Sequence, residues 1–199
     1  MNHGFHGENQ MAQAKTLNSR ELKKVLAIAS QTRHAERDRA MVMMSFMAGI
    51  RVGEIAALKI GDVLNADGTT KDQINLKPDQ TKGSRGRTVI VGEKLRSELS
   101  IYTATLKYRA SERPLFGSQR SHTGFSANTL CKRFAHLYEQ AGVQGGSSHS
   151  GRRTFITTLA NKGVGVRVLM ALAGHRNIST TQRYIDLNDE MLKVAANLI

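Results

Sequence analysis

One stretch in the C-terminal part of the sequence places a tyrosine among several basic residues. In HSGRRTFITTLANKGVGVRVLMALAGHRNISTTQRYI, His149 precedes Arg152 by three residues and His175 precedes Tyr184 by nine. Residues three apart share one face of a helix, so His149 and Arg152 could bind one anion together. A short turn between His175 and Tyr184 would bring both side chains into the same pocket. The stretch therefore predicts an anion-binding pocket that contains a phenol.

Two further basic residues are candidates for this pocket. Arg51 lies in AGIRVGEIAAL, an apolar helix start where a solvated charge would be poorly placed, so we expect its side chain to turn into a cleft. Lys82 lies in TKGSRG, whose glycines indicate a turn between two strands.

The composition indicates the class of partner. Lysine and arginine outnumber aspartate and glutamate by 29 to 16, giving a formal net charge of +13. Such an excess favours a polyanion, and nucleic acid is the first candidate. A membrane role is disfavoured, because the sequence has no tryptophan and no apolar run near the ~18 residues of a membrane span. The lone cysteine, Cys131, excludes an internal disulfide and is expected in the core.

Hydrophobic periodicity predicts a mainly helical domain with one small antiparallel β-sheet, an α+β class. A helix is expected after Asn18, which forms a capping pattern with Glu21, and another over residues 35–48 that ends at Gly49. The segments QINLKPDQT and RTVIV predict two strands joined at KGSRG. Further helices are expected from RVGEIAAL onwards, over about 93–109, over 127–141 after a cap at Ser126, over 151–162, over 166–173, and in a short segment carrying Tyr184.

The beginning of the sequence differs in character from the rest. Residues 1–16 show no apolar period, so we expect a flexible leader over 1–16 and one domain over 17–199. The N-terminal residues lack the pattern of a secretory signal. We therefore expect a cytoplasmic protein.

Five segments together carry a family resemblance. AGIRVGEIAAL, TKGSRGRTVIV, HSGRRTF, LAGH and TTQRYI resemble, in this order, the successive motifs of the tyrosine recombinase, or phage integrase, family. The similarity covers residues 17–199 and implies the catalytic-domain fold of that family. It also implies that Glu54 steadies the catalytic pocket. The catalytic residues that it implies are Arg51, Lys82, His149, Arg152 and His175, with Tyr184 as the nucleophile.

The resemblance implies an enzyme that breaks and rejoins double-stranded DNA. Tyr184 would attack a phosphodiester to give a 3′-phosphotyrosyl linkage and a free 5′ hydroxyl, and a partner strand would then displace the tyrosine. Negative charge grows on the phosphate oxygens during attack, and the paired donors of Arg51 and Arg152 suit them. The same cations favour the phenolate of a side chain that is otherwise protonated at neutral pH. The covalent link retains the energy of the bond, so we expect neither a nucleotide cofactor nor a metal ion.

The motifs assign the roles of Lys82 and the two histidines less sharply than those of the arginines. Lys82 resembles the general acid that protonates the leaving 5′ oxygen. His149 is the better candidate for assisting deprotonation of Tyr184, and His175 for a hydrogen bond to a phosphate oxygen, but the sequence does not separate these two tasks.

Three other arginines are candidate contacts to the DNA backbone. Arg85 and Arg87 lie on the same turn as Lys82, and for both a plain phosphate contact is as compatible with the sequence as a catalytic role. Arg153 stands where histidine is common in the family, and it is either a further phosphate contact or a surface charge. Gly151 and Ala173 each replace a common leucine, which predicts a locally altered core.

The order of domains also departs from the family. Most members carry an N-terminal DNA-binding domain, whereas only the short leader precedes residue 17 in this sequence. We therefore expect either a small integrase or invertase type of recombinase, or dependence on an accessory DNA-bending or targeting protein. The closing segment DEMLKVAANLI has an apolar face that could dock in cis or, as the family resemblance implies, on a neighbouring subunit. Docking on a neighbour would give a homotetramer on paired sites.

Two alternative functions are compatible with the same motifs. One is strand relaxation of the type IB topoisomerase kind, which uses the same tyrosine chemistry. The other is a DNA-binding regulatory protein that has kept the fold and lost catalysis. The presence of a matching residue at all six pocket positions disfavours the second alternative. The target sequence and the outcome of recombination do not follow from these motifs.

Overall fold

The computed structural model describes residues 14–81, 83–118, 123–185, 192–193 and 196–197. Most of the regular structure is helical, with one two-stranded antiparallel sheet, which confirms the expected class. The helices are α1 (Ser19–Ser30), α2 (Ala35–Ala48), α3 (Val52–Ala57), α4 (Ile60–Val63), α5 (Glu93–Ala104), α6 (Ala127–Gln140), α7 (Ser150–Asn161), α8 (Val166–Ala173) and α9 (Ile178–Gln182). Within the described residues the strands are β1 (Gln73–Leu76) and β2 (Arg87–Ile90), and a 3₁₀ turn covers Pro78–Gln80.

Helix termini follow the local signals in the sequence. The Asn18 side chain accepts a hydrogen bond from the Glu21 N–H at 2.9 Å, and the Glu21 carboxylate accepts one from the Asn18 N–H at 3.0 Å. This reciprocal capping confirms the predicted start of α1. Gly49 ends α2 in the left-handed region with a φ of 59°. The side chain of Ser126 caps α6 by accepting from the Thr129 N–H.

Helix α2 forms the centre of the core. It buries side chains on every face, because α1, α5 and α7 all pack against it. Helix α3 packs against α6, and α7 also contacts α8. The largest fully buried side chains include Met41, Met44, Ile55, Phe116 and Phe134. Arg51, Arg152 and His175 thus lie at or next to the ends of helices that pack in the folded domain.

The sheet is shorter than the sequence suggested. β1 pairs antiparallel with β2 from Gln73 opposite Ile90 to Leu76 opposite Arg87. The expected strand in QINLKPDQT ends at Leu76, because Pro78 has no N–H to donate and begins the 3₁₀ turn instead. Helix α5 likewise ends at Ala104, earlier than expected, and the four-residue α4 was not predicted.

The first described residues contact the helical core. Leu17 is buried, and its N–H donates to Thr154 Oγ1 at 2.9 Å. The Thr16 hydroxyl accepts from Arg153 Nε at 3.1 Å. Residues 1–13 of the expected leader, like most of DEMLKVAANLI, lie outside the described residues. No helix among the described residues is both long enough and apolar enough to cross a membrane.

Candidate active site

Arg152 lies at the junction of three helices. It occupies the first turn of α7, and its side chain is buried, with the whole residue 5% exposed. One Nη donates to the carbonyl of Gly49 at the end of α2, and the other donates to the carbonyl of Ala173 at the end of α8, both at 2.6 Å. Because both acceptors are helix C-terminal carbonyls, they complement the positive charge of the guanidinium. The side chain is therefore fixed before any ligand binds.

Glu54 organises two other guanidinium groups. Its carboxylate is buried and accepts from the Arg51 N–H at 2.9 Å, from Arg51 Nη1 at 2.8 Å and from Arg87 Nη2 at 2.7 Å. Burial raises the pKa of this carboxyl, but the hydrogen bond and charge of Arg87, together with Arg51, hold the pKa below its usual value. Glu54 is thus an anionic support between two cations, the placement that the pocket-support prediction requires.

Arg87 lies in the pocket wall at the start of β2, and not on the exposed turn where it was expected. Its side chain is only 11% exposed, and Nη1 donates to the carbonyl of Leu172 at 3.3 Å. A buried carboxylate needs strong donors, and Arg87 supplies them to Glu54 from the start of β2. This placement corrects the expectation of a plain backbone contact, because the donors of Arg87 are directed into the protein.

The pocket carries a surplus of positive charge. Three guanidinium groups, those of Arg51, Arg87 and Arg152, surround one carboxylate, that of Glu54. Burial, followed by the charges of Arg51 and Arg87, lowers the pKa of Arg152 below its usual value. Burial is the larger cause of this lowering, and repulsion from the two neighbouring cations adds to it. An anion that entered the pocket would relieve that repulsion, so the arrangement favours binding of a phosphate group.

His175 follows the left-handed Gly174 that ends α8. Its Nδ1 lies 2.9 Å from the Oγ1 of Thr181. Burial, followed by the charges of Arg152, Arg51 and Arg87, lowers the pKa of His175 to about 4. The imidazole is therefore neutral at neutral pH and carries a single N–H.

Tyr184 lies beside His175, two residues after the end of α9. The two rings stack with 5.8 Å between their centroids and 22° between their planes. The guanidinium of Arg153 lies 5.3 Å from the centroid of the Tyr184 ring on which it packs. The expected short helix thus positions Tyr184, although it ends at Gln182 and does not contain the tyrosine.

The structure places His149 and the sheet turn at the edge of this arrangement. His149 is the exposed N-cap of α7, three residues before the buried Arg152. Lys82 lies outside the described residues, so its general-acid role stays a prediction. Its neighbour Gly83 accepts a hydrogen bond from Arg176 Nη2 at 2.6 Å, which ties the turn to the residue that follows His175. Arg85 on the same turn is exposed, as a DNA contact would require.

Close packing between α7 and α2 explains why a glycine occupies position 151. A Cβ added there would lie 2.3 Å from Ser45 Oγ and 3.0 Å from the Phe46 ring. Glycine therefore allows α7 to approach α2 closely, which brings Arg152 within reach of the Gly49 carbonyl. The altered core expected at this position is explained by this close approach.

Comparison with known proteins identifies the family. The model of the phage integrase family matches residues 15–191. The chain belongs to the phage integrase family. This match confirms the resemblance seen in the five motifs.

Individual members of the phage integrase family are similar to this chain over most of its length. Tyrosine recombinase XerA of Thermococcus kodakarensis is 29% identical over 181 residues, which are 91% of this chain and 61% of the relative. The crystal structure of XerA recombinase superposes with a TM-score of 0.74 at 28% identity, covering 94% of this chain and 65% of that one. The Tn1549 transposon integrase, solved in complex with a circular intermediate DNA, gives a TM-score of 0.78 at 16% identity over 96% of this chain and 68% of that one, and so shows the fold alone. The chain therefore spans somewhat less than two thirds of the XerA relatives that it matches.

Proposed function

We propose that this protein is a site-specific DNA recombinase of the integrase or invertase type, which cleaves and rejoins DNA through a phosphotyrosyl intermediate on Tyr184. The observation that carries the proposal is the stacking of Tyr184 on a neutral imidazole, His175, whose neighbours are three guanidinium groups arranged around Glu54. A phenol needs cations nearby to react as phenolate, and a phosphodiester needs them to accept a nucleophile. One pocket supplies both needs.

Double-stranded DNA is the substrate that the charge supports. The net charge of +13 favours a polyanion, and the Tn1549 integrase with the same fold was solved bound to DNA. Exposed basic residues near the pocket, such as Arg85, would hold the duplex through its phosphates. These contacts set the position of the scissile phosphate without reading its sequence.

The two arginines nearest the reacting phosphate act as a clamp. Arg152 uses one N–H on each side of its guanidinium for the Gly49 and Ala173 carbonyls and keeps further donors for a phosphate oxygen. Arg51 is held by Glu54, yet its side chain is 28% exposed, so it can still face a ligand. Fixed donors of this kind stabilise the charge that develops in the transition state without any reorganisation.

The chemical steps balance without a cofactor. The Tyr184 oxygen bonds to phosphorus as the bond from phosphorus to the 5′ oxygen breaks; the phenol proton goes to a base, for which His149 is the candidate. Lys82 donates a proton to the 5′ oxygen as it leaves. In the second step a 5′ hydroxyl gives its proton to Lys82 and attacks the phosphotyrosine, and Tyr184 leaves as it regains the proton held by the base. One phosphodiester replaces another, so the reaction as proposed consumes no nucleotide, and the guanidinium groups take the place of a metal ion.

Strand exchange requires more than one subunit. We include a homotetramer on paired sites in the proposal, supported by the apolar pattern of DEMLKVAANLI. Cytoplasmic action and help from an accessory DNA-bending or targeting protein belong to the same proposal.

Covalent capture from a random library tests the function without knowledge of the target. Duplexes with a randomised segment and a nick near it are incubated with the protein, so that the short cleaved fragment diffuses away and the adduct is trapped. We expect complexes that survive denaturing detergent and that enrich one family of sequences. Two plasmids bearing the enriched sequence should then exchange strands. DNA binding with no detergent-resistant complex would contradict the proposal and indicate a binding protein.

A further inference from the structure

Thr181 is within hydrogen-bond distance of the His175 side chain and of the Tyr184 backbone. The residue is completely buried in α9, and its Oγ1 lies 2.9 Å from the Nδ1 of His175. Its carbonyl accepts a hydrogen bond from the N–H of Tyr184 at 3.0 Å. One side chain and one carbonyl of the same residue therefore connect the imidazole to the residue that stacks on it.

The tautomer of the His175 imidazole matters for the proposed catalysis. A neutral imidazole carries its single proton on either Nδ1 or Nε2, and only the protonated nitrogen can donate a hydrogen bond. The burial and neighbouring guanidinium groups described above keep the ring neutral. The nitrogen that is free to face a phosphate is Nε2, because Nδ1 is occupied by Thr181. An anion held by Arg51 and Arg152 requires a donor there, so the useful tautomer has its proton on Nε2.

The hydroxyl of Thr181 can enforce that tautomer. A hydroxyl rotates to donate or to accept, and when Nε2 carries the proton, Nδ1 is an acceptor and the hydroxyl must donate to it. We infer that Thr181 is a positioning residue: its hydroxyl donates to Nδ1 of His175 and so keeps the proton on Nε2, aimed at the scissile phosphate. The inference rests on the proposed function for its phosphate, but the tautomer itself is a property of the free protein.

Nitrogen-15 NMR of the full-length protein, labelled at histidine, measures the tautomer directly. The His175 signals are assigned as those missing from the His175→Gln variant. We expect the wild type to show the Nε2–H form. Thr181→Ser keeps the hydroxyl and should keep this form, whereas Thr181→Val keeps the branched shape, removes the hydroxyl and should give a mixture. A wild-type ring protonated on Nδ1, or an unchanged tautomer in Thr181→Val, would overturn the inference.

Cleavage kinetics on the captured DNA sequence give a second readout. Loss of one orienting hydrogen bond should slow single-turnover cleavage by Thr181→Val about tenfold, while DNA affinity stays at the wild-type value and Thr181→Ser cleaves nearly normally. Because Thr181 is buried, Thr181→Ala serves as a second hydroxyl-free variant if Thr181→Val folds poorly. If wild-type protein forms no adduct while the NMR result holds, the proposed function fails and the positioning role of Thr181 stands. Normal cleavage by a folded hydroxyl-free variant would refute that role.

Discussion

The imidazole of His175 stacks on the phenol of Tyr184, with ring centroids 5.8 Å apart. His175 is joined to α8 through Gly174, and Tyr184 follows α9, so the stacking fixes the geometry between these two helices. The ring that stacks on Tyr184 is also the ring whose protonation is opposed by burial and by the surrounding cations. Protonation of His175 should therefore be linked to the stability of the whole site.

The linkage predicts a pH dependence of the free energy of unfolding. The pKa of His175 is about 4 in the folded protein, against an ordinary value of 6.5. Between these pH values the unfolded chain binds a proton that the folded chain does not, so stability falls as pH decreases from about 6.5 towards 4. We expect wild type to lose more stability than His175→Gln between pH 7 and pH 5, measured by urea denaturation. Equal losses of stability in the two proteins would mean that the pKa of His175 is not lowered in the folded protein.

Substitution of Arg51 and of Arg152 by lysine should slow cleavage to a similar extent, but only the substitution of Arg152 should also lower the free energy of unfolding. Arg51→Lys and Arg152→Lys each remove a planar pair of donors, so single-turnover cleavage should fall about 100- to 1,000-fold in both. Arg152→Lys should also reduce the free energy of unfolding by about 1–3 kcal/mol, because the Gly49 and Ala173 carbonyls lose their donors. Cleavage by Arg51→Lys at the wild-type rate would remove Arg51 from the clamp.

Arg87, at the start of β2, and Arg85, on the turn before it, provide a matched pair. Arg87→Ala leaves the buried Glu54 with Arg51 as its remaining guanidinium partner, so it should lower the free energy of unfolding by about 2 kcal/mol or more. Arg85→Ala removes an exposed side chain and should change stability by less than about 0.5 kcal/mol. Arg85→Ala should instead weaken DNA binding most at low salt. The placement of Arg87 as a structural residue would be wrong if the two variants were equally stable.

Lys82 can be tested through the leaving group. If Lys82 protonates the 5′ oxygen, the Lys82→Ala variant should cleave ordinary DNA at least about 100-fold more slowly than wild type. Replacement of the bridging 5′ oxygen by sulfur gives a leaving group that needs no acid, so the variant should then cleave nearly as fast as wild type. Arg51→Lys is the control, because its defect concerns the phosphate oxygens and should persist on the sulfur-containing substrate. A Lys82→Ala defect that sulfur does not relieve would contradict the general-acid role.

The sequence predicted those parts of the fold that local signals determine. Gly49 ends α2 where expected, because only a residue that tolerates a positive φ can occupy that position. The capping of α1 by Asn18 is likewise a matter of three residues. The end of β1 differs from the prediction, because Pro78 has no N–H to donate and begins a 3₁₀ turn two residues after Leu76.

The candidate site was predictable to the extent that its residues occur in recognisable motifs. Arg51, Glu54, Arg152, His175 and Tyr184 are brought together as the motifs implied. The inward placement of Arg87 was not predictable from the motifs, because its partner Glu54 is 33 residues away. Nothing in the local sequence distinguishes Arg87 from the exposed Arg85. Thr181 was missed because a helical threonine has no chemical signal of its own. Its spacing of six residues from His175 was the available clue.

Peptide mapping of the covalent complex tests the central claim most directly. The DNA adduct is trapped on the nicked substrate, digested with protease and nuclease, and the residue carrying the nucleotide remnant is located by mass spectrometry. The chain has four tyrosines, and Tyr108 is an exposed one that serves as a matched control. We predict a remnant on Tyr184 alone, no adduct in Tyr184→Phe with DNA binding intact, and a normal adduct in Tyr108→Phe. A detergent-resistant adduct that persists in Tyr184→Phe, or a remnant on any other residue, would contradict the account.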